Sequence, residues 1–322
     1  MRSLKRCPKR VSDDGYLRSI ALMGTVVTIQ VVGPVVGRPA NPQQAIPIEE
    51  TVERAFEWFR RIEQCCTRFE ARSELMQLTA QVGVPVPVSA ILYEAVQFAL
   101  AVAEESGGAF DPTVGHAMET RGFNREYRTG QTIRTDLEPG RPVSYRDVRL
   151  DPGRKTITLL RPLILDLGAV AKGLAIDLAA RELRPFENFA VDAGGDLYLG
   201  GCNSNGKPWS VGIRHPRRDN EFIFSLPVSN RAVCTSGDYE RLSPINDEDH
   251  HILDPRTKVS VRDVASVTVI APTAMLADAL ATAAFVLGPA EGIRLFERLG
   301  VDGLIISPAL ERYATPGMCN GD

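Results

Sequence analysis

Residues 271–285 read Ala-Pro-Thr-Ala-Met-Leu-Ala-Asp-Ala-Leu-Ala-Thr-Ala-Ala-Phe, and no other segment constrains the fold as tightly. Alanine and leucine at this density predict a helix from Thr273 to about Leu287. Its other faces are Ala, Leu, Met and Phe, so it belongs inside a core. Asp278 and Thr282 break the pattern, and their spacing of four places both oxygens on one face. A buried carboxylate is costly unless a cation or good hydrogen bonds accompany it. A hard divalent ion would meet that need. So would an arginine or a backbone N–H, with Thr282 bonded to its own preceding turn.

A core helix needs a core, and 322 residues of which 44% are hydrophobic supply one. Lys and Arg number 37 against 40 Asp and Glu, so no global positive field draws a polyanion, and nucleic acid is not expected as a partner. The six cysteines form no Cys-x-x-Cys pair, which argues against a zinc ribbon or a redox dithiol and favours a reducing compartment. Near the start, Arg2, Lys5, Arg6, Lys9 and Arg10 precede a mostly apolar stretch from Ile20 to Gly37, the pattern of a signal anchor. Asp13, Asp14, Thr25, Thr28, Gln30 and Pro34 interrupt it. The reading is a disordered basic tail over residues 1–17 followed by a β-strand.

The strand runs from Met23 to Val32 and ends at Gly33-Pro34. Apolar residues Val52, Ala55, Phe56, Phe59 and Ile62 recur at helical steps between Ile48 and Cys66, and a second helix follows the N-cap Ser89 as far as Gly107-Gly108. Residues 119–148 are polar and read as a surface excursion. Strands are expected at Lys155–Leu160, Leu163–Leu167, Phe189–Leu199, Trp209–Arg214, Phe222–Val228, Arg231–Cys234, Ser266–Ile270 and Val301–Ile306, with helices at Ala169–Leu183 and Gly292–Leu299. The mixture is an α+β fold. No repeat or linker divides it, so one domain is expected over residues 18–311, with a short tail over 312–322.

Two further segments carry chemistry. In Ile164-Leu-Asp-Leu-Gly-Ala-Val-Ala-Lys-Gly a strand delivers Asp166, Gly168 turns, and a helix begins with Lys172 just inside. Free N–H groups and a lysine suit a phosphate, although neither a Walker A loop nor a dinucleotide fingerprint is present. The plainer reading is a capped helix with Lys172 in solvent. Asp249-His-His-Ile-Leu-Asp-Pro-Arg-Thr holds two of the four histidines, and adjacent side chains diverge, so one imidazole at most serves a given site as general base. Phe110-Asp-Pro-Thr-Val-Gly, Val191-Asp-Ala-Gly-Gly-Asp and Thr235-Ser-Gly-Asp-Tyr each set Asp or Ser beside Gly, where a backbone approaches a ligand or merely turns.

Taken in order, Met23-Gly-Thr, Cys66-Thr-Arg-Phe-Glu-Ala-Arg-Ser-Glu-Leu, Phe110-Asp-Pro-Thr-Val-Gly, Leu165-Asp-Leu-Gly-Ala-Val-Ala-Lys-Gly, Asp192-Ala-Gly-Gly-Asp, Thr235-Ser-Gly-Asp-Tyr, His251-Ile-Leu-Asp-Pro-Arg-Thr and Ala277-Asp-Ala-Leu-Ala-Thr resemble the ApbE family. Its members are flavin transferases that cleave FAD and attach FMN to a threonine of a target protein. The resemblance implies an α+β molecule with mixed, mostly antiparallel sheets, flanking helices and FAD as substrate in a cleft between two lobes. It further implies that Asp278, Thr282 and the main-chain carbonyl of Ala169 hold a magnesium ion (Mg2+) against the FAD phosphates. Met23, Phe69, Ala109, Phe110, Asp111, Asp166, Lys172 and Ile252 would line the FAD site, and His251 would be the general base.

Some positions depart from the family pattern. Phe69 stands where many members have Tyr, His116 where Pro is common, Lys258 where Gly follows Asp-Pro-Arg-Thr, and Ala281 where some carry a further acidic ligand. Residues 124–142 lack a helix that many members have. The acceptor implied is a redox enzyme or ion-pump subunit bearing an Asp-x-x-x-(Ser/Ala)-Thr segment. Two rivals remain: a metal-dependent FAD pyrophosphatase yielding FMN and AMP, and a non-catalytic flavin-binding protein. Most members are exported lipoproteins, but no cysteine here follows an apolar segment, so a cytoplasmic location is expected, with an exported or membrane-anchored one as the alternative.

Overall fold

In a computed structural model describing residues 10–12, 15–33, 47–127, 129–135, 137 and 140–318, the first strands form an antiparallel meander. β1 (Arg10–Ser12) pairs with β2 (Gly15–Leu22), which turns through Met23-Gly24 into β3 (Thr25–Val32). Both turn residues are left-handed, with φ of 51° and 75°, as a two-residue hairpin turn between twisted strands requires. Glycine adopts this conformation freely, whereas methionine seldom does. The strand expected from Met23 therefore begins at Thr25. The proposed boundary at residue 18 falls inside β2, because the ladder from Gly15 already satisfies the backbone. Residues 1–9 of the expected tail lie outside the described residues.

β3 continues into β7 (Asn188–Ala193), β8 (Asp196–Gly200), β11 (Arg231–Gly237), β12 (Ser266–Ala271), β13 (Asp302–Ile306) and β14 (Arg312–Ala314), completing a nine-stranded sheet in which every neighbouring pair is antiparallel. The expected C-terminal tail thus contributes an edge strand, and Met318 is buried beyond it. A three-stranded sheet of β4 (Val86–Pro87), β6 (Thr156–Leu159) and β5 (Val148–Asp151) and a ribbon of β9 (Trp209–Arg214) and β10 (Phe222–Val228) stand apart.

The helices lie where their apolar faces demand. α1 (Ile48–Cys66) has the bounds its period implies and buries Val52, Ala55, Phe56, Phe59 and Ile62. α2 (Glu74–Thr79) is too short to be read from periodicity, and α3 (Ala90–Glu105) starts from Ser89, whose hydroxyl accepts the Leu92 N–H at 3.2 Å. α4 (Gly115–Thr120) is one further short helix. α5 (Gly168–Leu183) packs between α1 and α6 (Ala274–Leu299). Gly173 lets α5 and α6 meet, since a Cβ there would lie 2.4 Å from Met275 Cα. α6 unites the two helices expected between Thr273 and Leu299, with a break at Gly288 ahead of Pro289. Its Ala277, Ala279, Leu280, Ala281, Ala283, Ala284 and Phe285 are buried.

Two expectations fail for a physical reason. Leu163–Leu167 belongs to no sheet, because its polar backbone is met by the 112–115 loop: Asp166 N–H donates to the Pro112 carbonyl at 2.7 Å, and Gly115 N–H donates to that of Ile164 at 3.1 Å. The segment at 119–148 is not a mere surface excursion, since Arg125, Glu126, Tyr127, Thr129, Gln131 and Ile133 wall a cleft. Polar composition there reflects a polar site.

Candidate functional site

A cleft of about 720 Å³ opens beside the start of α5, a size suited to a cofactor-like ligand. The structure brings Met23, Phe69, Ala109, Phe110, Asp111 and Ile252 into its walls together with Asp166, Ala169, Lys172, His251, Asp278 and Thr282. These residues lie as much as 259 positions apart in the chain (282 − 23).

The entrance to α5 is fixed by Asp166. Its Oδ1 accepts the Gly168 N–H at 2.8 Å, and its Oδ2 accepts from Arg68 Nε at 2.6 Å. Burial raises this carboxyl's pKa, but the Arg68 charge and the Gly168 N–H outweigh it and hold the group below its ordinary range. Arg68 also lies 4.3 Å from the Phe69 ring centroid and donates to the Phe123 carbonyl, fastening the end of α1 to the 123–133 segment. On the same side Met23 N–H donates to Glu63 Oε1 at 3.1 Å, and Tyr127 donates to that oxygen at 2.7 Å. The left-handed Met23 turn is thereby pinned to α1.

Asp111 is engaged on both oxygens. Oδ1 accepts Thr113 N–H at 2.9 Å and Thr113 Oγ1 at 2.7 Å, and Oδ2 accepts Tyr145 N–H at 3.0 Å. It shapes the loop that presents Ala109 and Phe110.

One turn into α5, Lys172 forms an ion pair with Asp196 at the end of the β7–β8 turn. Burial works against its charge, yet Asp196 and Asp278 prevail and hold the lysine protonated. Asp278 on α6 is 5% exposed, and its Oδ2 has no hydrogen-bond partner. Burial pushes its pKa up to about 7 against the pull of Lys172. Thr282, one turn on, lies 3.3 Å from Ser236 Oγ. The position of α6 is set from α5: Asp177 accepts the N–H groups of Ala274 at 2.7 Å and Met275 at 2.9 Å, satisfying the first turn of the helix that carries Asp278. Burial nevertheless raises the Asp177 carboxyl to about 6.

The adjacent histidines part as expected. His250 is 4% exposed, with Nε2 2.6 Å from the Val261 carbonyl, Nδ1 accepting the Ile252 N–H at 3.3 Å, and the ring edge-on to Phe285. It is a neutral core residue. His251 faces the cleft, and its Nδ1 is buried without a partner. Burial, with the nearby Arg241 and Lys172 charges, drives its pKa down to about 3, so the imidazole stays neutral.

Arg68 and Asp196 sit inside motifs the sequence singles out, but their pairing with Asp166 and Lys172 spans separations no local pattern reveals. Arg241, also in the wall, lies outside every motif. Its signal is its place two residues beyond Thr235-Ser-Gly-Asp-Tyr.

Comparison with known proteins agrees with this architecture. The model of the ApbE family matches residues 23–305. A Treponema pallidum protein named FAD:protein FMN transferase is 31% identical over 97% of this chain and 90% of its own length, and a Haemophilus influenzae protein of the same name is 30% identical over 71% and 70%. The crystal structure of the Thermotoga maritima ApbE protein superposes with a TM-score of 0.81 at 31% identity, covering 94% of this chain and 97% of that one. The flavin transferase ApbE from Vibrio cholerae gives 0.80 at 25% identity, covering 98% and 100%. With its motifs gathered in one cleft of a matching fold, the chain belongs to the ApbE family of transferases.

Proposed function

We propose that this chain transfers FMN from FAD to a threonine hydroxyl of a protein acceptor, releasing AMP, and that it requires magnesium. The observation that carries the reading is the unpartnered Oδ2 of buried Asp278, on one helix face with Thr282 and within electrostatic reach of Lys172 and Asp196. The donors proposed are a mixed oxygen set drawn from α5 and α6. A carboxylate, a hydroxyl and a carbonyl, with phosphate and water oxygens beside them, fit a hard divalent ion. Asp278, Thr282 and the Ala169 carbonyl would hold magnesium, which when bound supplies charge neutralisation of the pyrophosphate oxygens.

The chain's own residues do the rest. Met23, Phe69, Phe110 and Ile252 offer apolar walls to a flavin ring. Lys172, kept charged by Asp196, faces the diphosphate. His251, neutral and free at Nδ1, takes the proton of the acceptor hydroxyl. The threonine oxygen bonds to the FMN phosphorus, the bond from that phosphorus to the bridging oxygen breaks, and its electron pair leaves with AMP. The acceptor segment proposed is Asp-x-x-x-(Ser/Ala)-Thr.

The test is stoichiometry. Incubation with FAD, magnesium and a protein carrying that segment is expected to yield AMP and flavinylated acceptor in equal amounts, both stopped by a chelator and restored by added magnesium. AMP with unlabelled acceptor would refute transfer, and turnover untouched by chelation would refute the metal.

A further inference from the structure

Arg241 stands directly opposite His251. Leu242 and His250 form an antiparallel bridge, and the Arg241 carbonyl accepts the His251 N–H at 3.1 Å. Directly opposed residues of an antiparallel pair share a face. Arg241 and His251 both line the cleft, while His250 turns into the core. Among the described residues the Arg241 guanidinium makes no hydrogen bond or ion pair, whereas Arg68 is bound to Asp166 and Lys172 to Asp196. Its charge is nonetheless felt by Asp166 and by His251. The Arg241 side chain is exposed to the cleft, and Asp166, the carboxylate whose charge it feels, is already bound by Arg68, so the guanidinium fork is open to an anion placed there.

We propose that Arg241 grips the phosphate of the flavin mononucleotide half of the substrate. This rests on the transfer reading, in which the phosphorus under attack must lie beside the group that deprotonates the incoming hydroxyl. A guanidinium across from His251 meets the non-bridging oxygens of that phosphoryl group with its planar fork and stabilises the charge they carry during displacement. Lys172 then serves the diphosphate from the α5 side, and the phosphate retained on the product is the one Arg241 holds.

Equilibrium titration of the purified protein with FMN and with riboflavin isolates the phosphate. The wild type is expected to prefer FMN. Arg241→Gln is expected to weaken FMN binding about 10-fold or more while riboflavin binding stays unchanged, and Arg241→Lys is expected to recover part of the preference, because it keeps the charge but loses the fork. An Arg241→Gln protein with an unaltered FMN-to-riboflavin ratio overturns the assignment, as does a wild type with no preference. So does normal FMN binding combined with a raised KM for the acceptor alone, which would make Arg241 a protein-docking residue. Failure of the transfer reading shows separately, as a wild type that binds FAD yet labels no acceptor.

Discussion

Arg68 Nε and Asp166 Oδ2 lie 2.6 Å apart, joining the loop after α1 to the start of α5 across 98 residues of sequence. The arginine side chain is 4% exposed and the aspartate 19%. Removing one member strands the other's charge. Arg68→Met is expected to cost stability near the lower end of the roughly 3 to 5 kcal/mol typical of a broken buried pair, read from urea unfolding. Asp166→Asn added to it should restore part of the loss, since no uncompensated charge then remains. A double variant less stable than Arg68→Met would show that the ion pair is not what matters there.

The two histidines have opposite consequences. His250→Ala is expected to cost about 2 to 4 kcal/mol of stability, because it removes a ring packed on Phe285 and a bond to the Val261 carbonyl. His251→Ala should leave FAD affinity nearly unchanged and cut acceptor flavinylation by about 10²- to 10⁴-fold. A His251→Ala enzyme at wild-type rate would remove the base from the mechanism.

His251 also predicts an acid-stability effect. Its folded pKa of about 3 lies below the ordinary 6.5, so between these values the unfolded chain binds a proton that the fold refuses. The contribution is full above pH 6.5 and is lost as pH falls toward 3, at about 1.4 kcal/mol per pH unit. His251→Ala should flatten the acid limb of a stability-versus-pH curve. Parallel curves for the two proteins would place the imidazole in solvent.

Lys258, directly after Asp-Pro-Arg-Thr, has a φ of 61°. A side chain in the left-handed region is strained, and glycine relieves it. Lys258→Gly is expected to stabilise the protein by about 0.5 to 1 kcal/mol, seen as a higher urea midpoint. A lower midpoint would mean that the lysine's proximity to Asp111 and Asp254 outweighs the strain.

Asp278→Ala should leave metal-free stability unchanged or raised, because a buried charge is gone. Magnesium at about 100 times its dissociation constant should stabilise the wild type by about 2.7 kcal/mol and the variant not at all, measured by thermal unfolding. An equal shift in both would move the metal elsewhere.

What the sequence reveals follows from how local each cause is. α1 is legible to the residue because its apolar period is its own, and Ser89 because an N-cap acts within one turn. Met23 misleads, since its β-rich neighbourhood hides a hairpin turn whose reason is the distant Glu63. Leu163–Leu167 has strand composition, but its partners are Pro112 and Gly115 rather than a sheet. Lys172 and Asp278 are visible as motif residues, while the charge balance that makes them chemically useful comes from Asp196, which only the fold delivers. Arg241 is the extreme case: its meaning is a register opposite His251.

Transfer of FMN to a threonine is tested by intact-mass and peptide mapping of an acceptor incubated with this protein, FAD and magnesium. The expected acceptor is heavier by FMN less one water, with the flavin on the threonine of its Asp-x-x-x-(Ser/Ala)-Thr segment and no gain in a Thr→Val acceptor. Free FMN and AMP beside an acceptor of unchanged mass would contradict it.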